Sequence, residues 1–185
     1  MTVGPRDRLI ESAIELIREQ GVHAAGLAAL LERSHASRNS LYQHFPSGKS
    51  ELVETATTTA GARLAGVIDR ITGSGPAEQW IAELVGWWRH ALEKTSFTAG
   101  CPVVGAALAE SEPRVQAAAG AVFTDWTDRL AAALAADGIA PERARSLAGF
   151  TISALEGAIV QARAMKSTQP LEDVVANLVP LLRSG

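Results

Sequence analysis

One cysteine, Cys101, stands in 185 residues, so no intrachain disulfide can form and a reducing compartment is expected. Aromatic residues are 5% of the chain and β-branched residues cluster little, which removes the usual material of sheets. No apolar run approaches the roughly 20 residues needed to span a bilayer. The stretch from Met1 to Ile17 mixes charged with apolar residues and holds no signal-peptide h-region. These absences point to a cytoplasmic chain with no membrane partner. The histidines His23, His35, His44 and His90 lack ligand spacing and there is no cysteine pair, so neither a metal site nor a cofactor is expected. Gly73-Ser74-Gly75 lacks the following lysine and preceding strand of a phosphate loop, and no nucleophile signature surrounds any serine. An enzyme is therefore not expected.

What remains is rich in Ala, Leu, Glu and Arg, and 47% hydrophobic, enough to bury a core as one or two domains. The fold class expected is all-α. Proline punctuates it: Pro5, Pro76, Pro102, Pro113, Pro141 and Pro170 each precede a helix-like apolar pattern, a position where the missing N–H costs nothing. The patterns predict about nine helices, over 5–20, 27–33, 38–45, 48–71, 76–94, 102–110, 113–136, 141–166 and 170–183. Gly21 should stop the first, a loop should fill 94–100, and Pro180 should kink or fray the last. The density of Ala and Gly permits close helix packing.

The net charge is −3, unfavourable for nucleic acid as an average. The distribution is uneven. Residues 1–50 carry six Lys or Arg against five carboxylates, the remainder eleven against fifteen. From Arg33 to Lys49 there are three cations, two histidines and no carboxylate.

Within that stretch, Ser37 is a suitable N-cap and Pro46 a stop for a helix of about two turns. Leu41 and Phe45, four apart, give it one apolar side, which Leu30 and Leu31 could receive. Ser37, Arg38, Asn39, Ser40, Gln43 and His44 crowd the rest with hydrogen-bonding groups. Arg and Asn can contact guanine and adenine bidentately, while Ser, Tyr and Lys suit phosphate oxygens. Set behind the turn Ser34-His35-Ala36, this is the pattern of a helix-turn-helix that places its second helix in the major groove of double-stranded DNA.

Leu41-Tyr42-Gln43-His44-Phe45 followed by Lys49, with Gly21 and Ser37-Arg38 upstream, resembles the N-terminal domain of the TetR family of one-component regulators. Phe45-Pro46-Ser47-Gly48-Lys49, Gly100-Cys101-Pro102-Val103 and Leu155-Glu156-Gly157-Ala158 resemble the subgroup of the LmrA and YxaF regulators of multidrug resistance. The resemblance implies DNA contacts from Ser37, Arg38, Asn39, Ser40, Tyr42, Gln43, His44 and Lys49. Three positions depart from the family pattern. Ala25 stands where a phosphate-contacting threonine is common, His35 where the turn has glycine, and Leu31 where a small residue is usual.

A seven-residue reading helix makes few base contacts, and dimers compensate by engaging two half-sites. Helical stripes at Thr151, Leu155, Ala158, Ala162 and Met165, and at Val174, Val175 and Leu178, are candidate dimer-interface positions; each is equally readable as intrachain core. In the resembled family these two helices pair with their symmetry mates. Trp80, Trp87, Trp88, Phe97, Cys101, Phe123 and Trp126 gather in the middle of the chain, where aromatic walls suit a small, mainly apolar effector; aromatic residues are also ordinary core material. Cys101 before Pro102 can be read as a redox sensor, a nucleophile or a buried small hydrophobe.

The expectation is an N-terminal helix-turn-helix three-helix domain over 1–50 and a C-terminal helical effector-binding and dimerisation domain over 51–185. Its implied work is that of a homodimeric repressor binding a pseudo-palindromic operator and released by the effector. The alternative is a helical small-molecule-binding protein whose head no longer reads an operator.

Overall fold

The computed structural model describes residues 4–183. Among them nine helices form and no strand does: α1 (Pro5–Ala24), α2 (Leu27–Ser34), α3 (Arg38–His44), α4 (Lys49–Thr72), α5 (Ala77–Lys94), α6 (Pro102–Ala107), α7 (Pro113–Ala136), α8 (Pro141–Met165) and α9 (Gln169–Arg183). The fold is all-α. Residues 1–3 and 184–185, which the N-terminal reading and the outer domain limits include, lie outside the described residues.

Proline stands in the first turn of α1, α6 and α8 as expected, with its absent N–H where no intrahelical acceptor exists. Two boundaries differ from expectation. Gly21 bends α1 rather than ending it: at φ 78° and ψ 172° it breaks the helix, and one further turn forms up to Ala24. α6 ends at Ala107, where successive turns bring the amides of Ala109 and Glu112 onto the carbonyls of Ala106 and Ala109. α9 ends at Arg183 as expected, with Pro180 inside it.

The chain forms two compact units. The first comprises the residues up to Ala62 together with Cys101–Val122, hence α1–α3, the start of α4, α6 and the first turns of α7. Its core is the inward stripe of α1 (Leu9, Ala13, Leu16, Ile17) against Leu30, Leu41, Phe45 and Leu52, all buried. Gly61 on α4 shows why small residues matter: a Cβ there would stand 2.5 Å from Cγ2 of Val122 on α7. Polar ties sew the same unit together: Ser50 Oγ donates to Glu112 Oε2 over 2.7 Å, and Arg114 meets Glu54 at 2.9 Å.

The second unit comprises Arg63–Gly100 together with the residues from Phe123 onward. Here α9 packs against both α5 and α8. Arg129 on α7 bridges Asp125 at 2.8 Å and Asp69 of α4 at 2.6 Å, and hydrogen bonds to these carboxylates, Asp125 foremost, raise its pKa further. No described helix is long and apolar enough to cross a membrane.

Candidate nucleic-acid interface

The turn ahead of α3 is made by backbone geometry. His35 holds a left-handed conformation (φ 50°, ψ 37°), its N–H donates to Glu32 O, and Ala36 N–H donates to Leu31 O over 3.1 Å. This is a Schellman ending, and the seat His35 occupies is the one glycine usually fills. Arg8 Nε donates to the carbonyl of Ser34 at the end of α2, which anchors the turn on α1.

α3 then starts on Ser37, whose Oγ accepts from Ser40 N–H at 3.1 Å. It stops at Phe45, which Pro46 excludes from helical geometry; Phe45 N–H still donates to Leu41 O over 2.8 Å. Leu41 and Phe45 turn inward with Leu30, all at most 1% exposed, while Leu31 is only half-buried. Opposite them, Ser37, Arg38, Asn39, Tyr42 and Gln43 are exposed and Ser40 and His44 half-buried. Among the described residues, the side chains of Arg38, Asn39, Tyr42, Gln43 and His44 have no hydrogen-bond or ion-pair partner within the chain. A helix that buries its two apolar residues and leaves five polar side chains unpaired presents donors and acceptors outward. Arg38 and Asn39 lie in its first turn, the part of a reading helix that faces base edges.

The basic footprint is narrower than a count of cations suggests. Arg33 is drawn into α1, its two terminal nitrogens donating to Glu19 Oε1 and Oε2 at 2.9 and 2.8 Å, and this hydrogen bonding holds its pKa above the ordinary value. Lys49 Nζ donates to Val22 O at 3.2 Å, with its other two N–H donors uncommitted. Ala25 is fully buried, so the cap of α2 falls to Gly26, which has no hydroxyl either.

Known proteins share this arrangement. The profile for bacterial regulatory proteins of the tetR family matches residues 9–56, and that for the transcriptional regulator LmrA/YxaF-like C-terminal domain matches 76–177. The HTH-type transcriptional regulator Rv0196 of Mycobacterium tuberculosis is 38% identical over 97% of this chain and 94% of its own length. YxaF of Bacillus subtilis is 31% identical over 96% and 94%. The chain belongs to the TetR family. Its relatives are transcriptional regulators, not enzymes. A TetR regulatory protein from Rhodobacter sphaeroides shares the fold, with a TM-score of 0.84 over 95% of this chain and 97% of the other at 21% identity. A CifR cysteine mutant solved with 26 bp operator DNA gives 0.80 over 95% of each chain at 25% identity.

In this TetR-family regulator the seven effector candidates divide between the two units. Trp80, Trp87, Trp88, Phe97, Phe123 and Trp126 belong to the second unit, whereas Cys101, buried at the start of α6, belongs to the first. Trp80 is structural: its Nε1 donates to the carbonyls of Ser74 and Gly75, both at 3.1 Å, holding the turn after α4. Phe97 sits in the 94–100 loop and its carbonyl accepts from Lys166 Nζ. Two edge-to-face pairs form, Trp87 with Trp88 at 4.9 Å and Phe123 with Trp126 at 5.5 Å. Trp88 Nε1 and Thr151 Oγ1 are both buried without a partner.

The dimer candidates divide as well. Thr151, Leu155, Ala158, Ala162 and Leu178 are covered by their own chain, Val174 and Val175 are half-buried, and Met165 is exposed. The open face of α8 and α9 is a groove between Phe150, Ser153, Gly157 and Gln161 on one side and Asp173, Val174 and Asn177 on the other. The sequence stripe did not include Phe150, an apolar residue of α8 that the chain leaves 55% exposed.

Proposed function

We propose that this chain is a homodimeric repressor that grips a pseudo-palindromic operator through α3 and releases it when a small, mainly apolar effector enters the second unit. The observation that carries the reading is the outward face of α3, where Arg38, Asn39, Tyr42, Gln43 and His44 are all unpaired. CifR, similar in fold and 25% identical, is known with operator DNA. Ser37, Ser40 and Lys49 complete the contact set, with Tyr42 and Lys49 on phosphates.

Dimer formation is supported by the large apolar side chains that α8 and α9 leave exposed, Phe150, Val160, Met165 and Leu181. Of these Phe150 lines the groove between α8 and α9, where two copies of one face would cover it. The work divides near residue 50, with DNA contacts before it and effector and dimer contacts in 51–185. The effector carries a hydrogen-bond acceptor on an apolar frame, because Trp88 is 2% exposed and its Nε1–H is buried without a partner. Satisfying such a buried donor is worth about 1–3 kcal/mol. The whole acts in the cytoplasm.

Selection from fragmented genomic DNA with purified protein tests this. One inverted repeat should be enriched, bound by two copies, with affinity falling as salt rises. Enrichment of nothing would favour a helical ligand-binding protein without operator recognition, a reading that the missing hydroxyl at Ala25 and Gly26 also suits.

A further inference from the structure

We propose that Arg6 is a second cationic clamp on the DNA backbone, held at the end of the reading helix by Phe45. This rests on α3 entering the major groove. Arg6 lies in the first turn of α1, and its guanidinium carbon stands 5.5 Å from the centroid of the Phe45 ring. The ring is buried, 1% exposed, while Arg6 itself is exposed. A cation held by a π face spends no N–H group on the contact, so the fork of five donors remains for an anion.

Most other cations of the first unit are already engaged. Arg8 donates to Ser34 O, Arg33 is bidentate on Glu19, Arg114 pairs with Glu54 and Lys49 reaches Val22 O. Arg18 also has a partner. Among the described residues of the first unit, Arg6 and Arg38 are the two arginines with neither a hydrogen bond nor an ion pair. They bracket α3. Arg38 is its first residue, and Arg6 sits on Phe45, directly after His44, the last. The proposed phosphate contacts Tyr42 and Lys49 belong to this same end. A guanidinium left without a carboxylate, set over a ring beside a helix that enters the groove, has the planar fork of N–H donors that two oxygens of a backbone phosphate can accept from. Arg6 thereby adds to the local positive charge of a chain whose net charge is −3.

The chemical rival is a lid: Arg6 merely shields Phe45 from water. Arg6→Gln keeps most of the length and removes the charge, and Arg6→Lys keeps the charge and removes the planar fork. Both are compared with wild type on the selected operator and on unrelated DNA across a salt series. Arg6→Gln should weaken both kinds of DNA about 3- to 10-fold at physiological salt, with the log–log salt slope smaller by about one. Discrimination should be unchanged and Arg6→Lys should recover most of the loss. If Arg6→Gln binds as wild type with the same slope while its Tm falls, Arg6 is a lid and the clamp is wrong. If discrimination falls at an unchanged slope, Arg6 positions α3 through Phe45, which also overturns the clamp. A wild type that binds no DNA defeats the reading of α3 itself, whereas a wild type that binds with an indifferent Arg6→Gln defeats the clamp alone.

Discussion

The Tyr42 ring leans on Gly48. A Cβ at residue 48 would stand 3.2 Å from Tyr42 Cε1, and Gly48 holds a φ of +75°. The contact ties the outer face of α3 to the turn that begins α4, so the phenol that should meet phosphate is placed by a residue without a side chain. Gly48→Ala brings together a left-handed backbone and a crowded ring. It should destabilise by about 1–2 kcal/mol and displace Tyr42. Urea unfolding and operator titration check this, and a Gly48→Ala protein as stable and as tight-binding as wild type would mean that Tyr42 is placed by something else.

His35 is the reverse case. Its left-handed backbone in the Schellman ending of α2 is a seat that suits glycine, and Arg8 fixes the preceding carbonyl in any case. His35→Gly should raise stability by about 0.5–1 kcal/mol, read as a higher Tm. Operator affinity should stay the same, since none of the proposed contacts uses the imidazole.

Most of the fold was legible because helices announce themselves locally. Proline at first turns, glycine at ends and the spacing of Leu9, Ile10, Ala13 and Ile17 all act within one or two turns. α3 was legible for the same reason: Ser37, Pro46 and the Leu41–Phe45 pair are close neighbours. What depended on distant partners was not. Nothing local says that Arg33 is consumed by Glu19, that Lys49 reaches Val22 O or that Arg6 stacks on Phe45. A stripe of apolar residues on α8 marks a buried side without saying whether its own chain or a second one buries it. Only the packing of α9 resolves that.

Phe150 and Thr151 are neighbours in α8 with opposite surroundings, 55% and 2% exposed. Thr151→Val removes a buried hydroxyl without a partner and keeps the shape, so it should stabilise the fold by about 1 kcal/mol and leave the oligomeric state alone. Phe150→Asp should keep the helical content and shift the protein to monomers. Sedimentation and thermal melts distinguish the two. A Phe150→Asp protein that remains dimeric would place the partner contact elsewhere.

The most direct measurement is the affinity of wild type and of Arg38→Ala and Gln43→Ala for the selected inverted repeat and for a scrambled duplex. Each substitution should cost about 1–3 kcal/mol on the inverted repeat and little on the scrambled sequence, so that discrimination collapses. Equal discrimination by all three proteins would show that the outward face of α3 does not read DNA.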